Sequence, residues 1–245
     1  MRLEGKAALI TGVDTSLGRQ IAIHFAHEGA RVAGVGDSSH GSRAIQEIQQ
    51  QGGTGVYVEA DISKSAGAEK AVAGTLDAFG RIDAVINYNS VRRILGTVVD
   101  ITDEDFEEEM TSDLMRIIRL AHPAIPAMAE GGGGSYVNFS SINSDGLEGR
   151  AMRSAGKAAI NSLSIAMALD HGPQHIRVNA ILMGPKGNPD SSAAPDPASP
   201  IGKMVTPEEV AAAAAFLASD EAGSITGILL RLDGRRSLRA GAPTP

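Results

Sequence analysis

The 245-residue sequence has no cysteine and no tryptophan, and aromatic residues make up only 3% of it. Without cysteine there is no disulfide, no thiolate metal site and no thiol nucleophile, which fits a reducing compartment. A basic excess is also missing: 22 Lys and Arg stand against 29 Asp and Glu, a formal net charge of −7 at pH 7. No run of basic residues is longer than the pair Arg235-Arg236, so the patch needed to neutralise phosphates is lacking and nucleic-acid binding is not expected. No stretch reaches the roughly 18 apolar residues of a membrane span. The opening residues run into a strand-like segment with no apolar signal core, so the expected location is the cytoplasm, away from membranes. The histidines at 24, 27, 40, 122, 171 and 175 form no metal-ligand constellation. His24 and His27, three apart, are expected on a surface helix.

What is present is regular alternation. Short β-branched or apolar runs at Lys6–Thr11, Arg31–Val35, Gly55–Glu59, Asp83–Asn87, Ser135–Ser140, Ile176–Leu182 and Ile228–Leu232 alternate with helical stretches, the signature of βαβ units and a parallel sheet. The helices are expected at Leu17–Glu28, Ser42–Gln51, Ala66–Phe79, Thr102 to about Met128, Arg153–Leu169 and Pro207–Ala218. In the last, Thr206 and Glu209 have capping-box spacing and Pro207 takes the first helical position. Seven strands predict an α/β fold: one doubly wound parallel sheet with helices on both faces, forming a single domain over residues 1–238. Gly131–Gly134 reads as a tight connection before a strand. The Pro-, Ser-, Ala- and Gly-rich segment 184–203 is long for a connection, and is either a lid over a site or disordered. Residues 239–245 read as a frayed tail.

The first strand ends at Thr11-Gly12 and the next helix opens near Leu17-Gly18, where backbone N–H groups and a helix N-terminus can hold a pyrophosphate. This turn resembles the TGxxxGxG fingerprint of the classical short-chain dehydrogenase/reductase family, matched by Thr11, Gly12 and Gly18, with Ser16 in place of the middle glycine. FGRIDAVIN, Asp61 in EADIS, YVNFSS, IRVNAI and the stretch from Pro207 to Gly234 extend the resemblance over nearly the whole chain. The resemblance implies a Rossmann-type domain that moves a hydride between a nicotinamide and a carbonyl or alcohol. It also implies dimers or tetramers built through the fifth and sixth helices and the last strand.

The family's tyrosine gives or takes a proton, a lysine four residues later lowers its pKa and holds the ribose, a serine polarises the carbonyl, and an asparagine holds a relay water. By resemblance the serine place falls on Ser141 and the lysine place on Lys157. The tyrosine place is Arg153 and the asparagine place is Asp113, and no tyrosine occurs between Tyr136 and the C-terminus. An arginine stays protonated at any working pH and carries no proton for the reaction. Arg153 and Lys157 are like charges at i, i+4, unfavourable unless an anion sits between them. Asp113 is the candidate anion, either closing an internal salt bridge over a disused site or leaving Arg153 to grip an anionic substrate group.

The cofactor groove is altered as well. Asn87 is kept, but Tyr88, Asn89 and Ser90 follow it where the family has small or different residues, and crowding of the ribose is expected. Met183-Gly184 replaces a Pro-Gly pair and Asn188 a threonine near the carboxamide. Ser16 should weaken the approach to the phosphates. Asp61 resembles the acid that contacts adenine. Asp37 and Asp14 favour NAD over NADP if any dinucleotide is bound, though Asp37 reads equally as a loop or cap residue. Three functions stay open: a non-catalytic structural or regulatory subunit of a homo- or hetero-oligomer with another short-chain dehydrogenase; an active oxidoreductase with rearranged chemistry involving Tyr88 or Arg153; or a non-redox enzyme on the same scaffold.

Overall fold

The computed structural model describes residues 1–89, 94–184 and 196–238. Seven strands, β1 (Ala7–Thr11), β2 (Arg31–Gly36), β3 (Gly55–Glu59), β4 (Ala84–Asn87), β5 (Gly134–Ser141), β6 (Ile176–Met183) and β7 (Leu229–Leu232), form one sheet in the order β3-β2-β1-β4-β5-β6-β7. Every pairing is parallel, with β1 flanked by β2 and β4. The expected strands all form, with ends displaced by at most one residue. All five residues of β1 and all four of β4 are buried, because helices cover both faces and leave no polar alternation to read.

The helices are α1 (Ser16–His27), α2 (Ser42–Gln50), α3 (Ser65–Phe79), α4 (Asp103–Glu109), α5 (Arg116–Glu130), α6 (Ala151–His171) and α7 (Pro207–Ala218). On one face of the sheet Leu17, Ile21 and Phe25 of α1, Ile45 and Ile48 of α2 and Leu217 of α7 pack in one buried cluster with Ile10, Ile86 and Phe139. On the other, Val72 of α3, Leu120 and Met128 of α5 and Ile160 and Met167 of α6 pack with Val85 and Tyr136. The capping box at Thr206 and Glu209 is present as read, with Pro207 at its start.

One helix differs from expectation in its hydrogen bonding. The stretch from Thr102 to about Met128 is helical throughout, as expected, but its hydrogen-bond pattern changes within it: α4, opened by a capping box between Thr102 and Asp105, passes through a π-helical turn over Met110–Met115 into α5. The wider turn inserts an extra residue per helical repeat, a feature without a compositional signature that often marks functional sites. The prolines Pro123 and Pro126 lie within α5 and do not end it. Each removes a backbone donor, and the buried stripe of Ile117, Leu120, Ala124, Ile125 and Met128 holds the helix against the sheet regardless. Helix α6 begins two residues earlier and ends two residues later than expected.

The connections position the site. Gly131–Gly134 is the tight link into β5, closed by the bond from Gly133 N to Met128 O at 2.8 Å. Two loops meet at the top of the sheet, where Gly96 N donates to Gly149 O at 3.0 Å and Ala151 N donates to Gly96 O at 3.3 Å. The entrance to α4 is thereby tied to the entrance to α6. Of the lid-like segment 184–203, residues 185–195 lie outside the described residues, as do Ser90, Asn188 and the tail 239–245. Its last part is fastened to the end of β7: Arg236 Nη1 donates to Asp196 Oδ1 at 2.6 Å and Ser199 Oγ to Gly234 O at 3.1 Å.

Candidate functional site

At the carboxyl ends of β1 and β4 the strand order reverses, the place where open α/β sheets bind ligands. The turn from β1 into α1 is built as the fingerprint requires. Gly12 has φ +70°, and a Cβ there would lie 2.6 Å from the carbonyl oxygen of Tyr88, so only glycine fits. Thr15 caps α1 by accepting from Gly18 N at 3.1 Å and donates its own hydroxyl proton to Gly12 O at 2.7 Å. Ser16 is the first residue of α1 and is exposed. Beneath the turn, Thr11 Oγ1 donates to Tyr88 O at 2.8 Å, and the buried Asn87 amide reaches Asn138 Oδ1 at 3.5 Å.

A cavity of about 100 Å³ opens beside this turn, lined by Gly12, Asp14, Asp37, Asp61, Asn89 and Arg116 among others. Asp37 faces it and is held above the usual carboxylate range, chiefly by a hydrogen bond with Asp14 and then by burial. Burial pushes the neighbouring Tyr57 phenol up to about 12, helped by Asp14 and Glu59. Asp61 stays below its ordinary value because Ser63 donates to it from both hydroxyl (2.6 Å) and backbone (3.0 Å). On its other side Asp14 borders an open cleft with Ser16, Arg19, His40 and Arg43, of which the two arginines carried no expectation from the sequence.

Tyr88 is not where it was expected. Its ring is 3% exposed and packs edge-on against Phe139, centroids 5.2 Å apart, inside the α1–α7 cluster. Asn87, one residue before, points to the opposite face toward Asn138, as strand alternation demands. The tyrosine therefore supports the glycine turn from below and does not crowd the ribose, whereas Asn89 does line the cavity. Lys157 lies on α6, which packs on the other side of the sheet from the Tyr88 ring.

The remaining predicted residues gather where β5 and α6 meet. Ser141 ends β5 and accepts from Asn143 N at 3.2 Å, capping a short 3₁₀ turn. Ser140, its neighbour, donates from Oγ to the backbone carbonyl of Lys157 at 3.1 Å and fixes α6 against the strand. The Lys157 ammonium is buried and lies 2.8 Å from Asp113 Oδ2. Burial lowers its pKa, opposed by Asp113.

The sequence had Asp113 as the anion for both cations, and the structure corrects this. Arg153 faces a second carboxylate, Glu109, with Nη1 to Oε1 at 4.0 Å. Glu109 is fully buried, neither of its carboxylate oxygens has a hydrogen-bond partner among the described residues, and burial raises its pKa to about 7, with Asp113 adding to the rise and Arg153 opposing it. Room for both acids comes from Gly156: a Cβ there would sit 3.3 Å from Glu109 Cγ and 3.7 Å from Asp113 Oδ2. Two carboxylates four residues apart on the α4–π segment thus oppose two cations four residues apart on α6. Sequence reasoning missed Glu109, although its spacing from Asp113 repeats that of Arg153 from Lys157.

These residues divide into two halves against a nicotinamide dinucleotide. On the adenosine side the glycine turn, Asp37 and Asp61 stand around one cavity, the residue types that a dinucleotide's phosphates and ribose hydroxyls would need. On the nicotinamide side, among the described residues, Lys157 is paired with Asp113 and Arg153 stands one turn before it.

Comparison with known proteins agrees with this architecture. The family model described as enoyl-(acyl carrier protein) reductase matches residues 12–234. An uncharacterized oxidoreductase of Thermotoga maritima is 33% identical over 250 residues, covering 96% of this chain and 98% of that protein. The (2S)-[(R)-hydroxy(phenyl)methyl]succinyl-CoA dehydrogenase subunit BbsD of Thauera aromatica is 30% identical over 249 residues, covering 98% of this chain and 100% of that one. Among solved structures, a short-chain type dehydrogenase/reductase from Mycobacterium ulcerans superimposes with a TM-score of 0.91 at 25% identity, covering 98% of this chain and 93% of that one. Carveol dehydrogenase from Mycobacterium avium, solved in complex with NAD, gives a TM-score of 0.89 at 23% identity, with 97% and 99% covered. With the seven-stranded sheet and the glycine turn at its switch point, these matches make the chain a member of the short-chain dehydrogenase/reductase family, related to dehydrogenases and other oxidoreductases.

Proposed function

We propose that this chain is a non-catalytic member of its family: a subunit that keeps the fold and the adenosine half of the groove, has lost hydride transfer, and serves in an oligomer. The observation that carries the reading is the buried Lys157–Asp113 pair at 2.8 Å, one helical turn after Arg153. Buried against Asp113, the ammonium has fewer of its three donors left for a ribose hydroxyl, and a guanidinium cannot supply the proton. Loss of a positioned acid or base costs about 100- to 10,000-fold in rate.

Assembly is supported by what α6 leaves uncovered. Ala155, Ala158, Ser162, Ile165, Ala166 and Leu169 form an exposed stripe of small and apolar residues along it, Leu169 being 75% exposed. The small side chains permit close helix approach, and an apolar stripe of this length is costly to leave in water. The name of the Thauera relative, a dehydrogenase subunit, is consistent with a partnered arrangement, either with a second copy or with an active relative. The experiment is a titration of the purified chain with NADH and NADPH, alongside a turnover assay on ketone and hydroxyacyl substrates. Weak or absent dinucleotide binding, NADH over NADPH, with turnover at background is the expected result, and ordinary turnover by the isolated chain overturns the reading.

A further inference from the structure

We propose that Arg153 is an anion-binding residue whose ligand is a small carboxylate, admitted when Glu109 is protonated and excluded when it is ionised. This goes beyond the non-catalytic reading and does not depend on it. The two cation–carboxylate pairs of the cluster are unequal. Lys157 and Asp113 are in direct contact at 2.8 Å, whereas Arg153 and Glu109 stand 4.0 Å apart, beyond hydrogen-bond range. Nη1 of Arg153 and both oxygens of Glu109 are buried without a hydrogen-bond partner among the described residues, as is Asp113 Oδ2, so the distances and not the bond count separate the two pairs. A guanidinium left in this condition retains the donor fork that binds a carboxylate through two parallel bonds. With 17% of its side chain exposed against none of that of Glu109, Arg153 is the member of the pair that borders solvent, and acetate, the smallest carboxylate after formate, is the probe.

The charges facing Glu109 are Asp113 from its own segment and Arg153 and Lys157 from α6. When all four groups are ionised the cluster is neutral and Glu109 competes with any incoming anion for Arg153. When Glu109 takes a proton the cluster carries one net positive charge and the competitor is gone. Because Glu109 titrates at about 7, the exchange falls within the physiological range.

The test is calorimetric titration of the full chain with sodium acetate in low-chloride buffer at about pH 6 and about pH 8. Linkage to one proton gives a dissociation constant about tenfold weaker at the higher pH. Glu109→Gln should bind acetate equally at both, at the level of the wild type at the lower pH. Arg153→Lys, which keeps the charge and loses the fork, should bind more weakly, and Arg153→Gln not at all. Absence of binding by the wild type at about pH 6, undiminished binding by Arg153→Gln, or a pH dependence that survives in Glu109→Gln each overturns the proposal. Should Arg153→Gln fail to fold, the Glu109→Gln comparison decides by itself. No arm of the test contains a dinucleotide or reads turnover, so a failure here is distinguishable from failure of the non-catalytic reading.

Discussion

Replacing Glu109 by Gln should stabilise the protein, and only where the glutamate would be ionised. The carboxyl is fully buried and its pKa rises from 4.5 to about 7. An acid whose pKa is raised by folding binds protons more readily folded than unfolded. Stability therefore falls as pH climbs from the ordinary value through the raised one, and the whole cost is present above it. At about 1.36 kcal/mol per decade, that displacement makes the ionised form about 3 kcal/mol more costly in the folded chain. Glutamine matches the protonated acid in shape and polarity, so near pH 4.5 the two proteins should melt within a degree or two of each other. At pH 8 the variant should be more stable by up to about 3 kcal/mol, which for a chain of this size raises the Tm by roughly 6 to 12 °C. Thermal melts by circular dichroism over a pH series measure the difference directly. A constant offset between the two proteins at every pH, or a variant less stable at pH 8, refutes the assignment of Glu109 as a buried acid that ionises at a cost.

Asp113→Asn leaves the buried Lys157 ammonium without its counter-charge and should cost about 3 to 5 kcal/mol in chemical denaturation; a loss under 1 kcal/mol would mean that the pair is not buried as described. Gly12→Ala forces a side chain into positive φ against the Tyr88 carbonyl and should destabilise by about 1 to 3 kcal/mol, with unchanged stability arguing against the tight turn. Arg153→Tyr should not restore carbonyl reduction, since Lys157 stays engaged by Asp113; a rise in turnover of more than about 100-fold would place the whole defect at residue 153. Light scattering should find a dimer or tetramer, and Ala158→Glu, at the middle of the exposed α6 stripe, should lower the mass, whereas a wild-type monomer at micromolar concentration would leave the stripe unexplained.

Much of the fold was legible because a doubly wound sheet writes itself locally. Each strand is a short apolar run buried on both faces, and each helix carries a period that one short segment displays. The π turn at Met110–Met115 was not legible: it packs with α4 against α6, a tertiary contact, and no residue in MTSDLM announces it. In the site, Ser141, Lys157, Arg153 and Asp113 could be found by resemblance, and the pairing of Lys157 with Asp113 follows from their opposite charges. Glu109 was hidden among Asp103, Glu104, Asp105, Glu107 and Glu108, acids of an exposed helix face from which composition cannot separate a buried one. The orientation of Tyr88 is a matter of strand alternation carried one residue past the end of β4, where resemblance to a loop obscured it.

The bond pair that joins Gly96 to Gly149 and Ala151 has a consequence for how the charged cluster can fail. It closes a ring of chain that contains Asp113 and Glu109 on one arm and ends at α6 on the other. Fastening the mouth of such a ring removes most of the loop-closure entropy that its arms would gain by separating. The cluster therefore sits within a segment already restrained by main-chain contacts, and neutralising a charge there leaves the surrounding backbone little freedom to relax. Damage to the cluster should accordingly appear as lost stability with the helices still in place, and a site closed in this way reopens only through several coordinated substitutions.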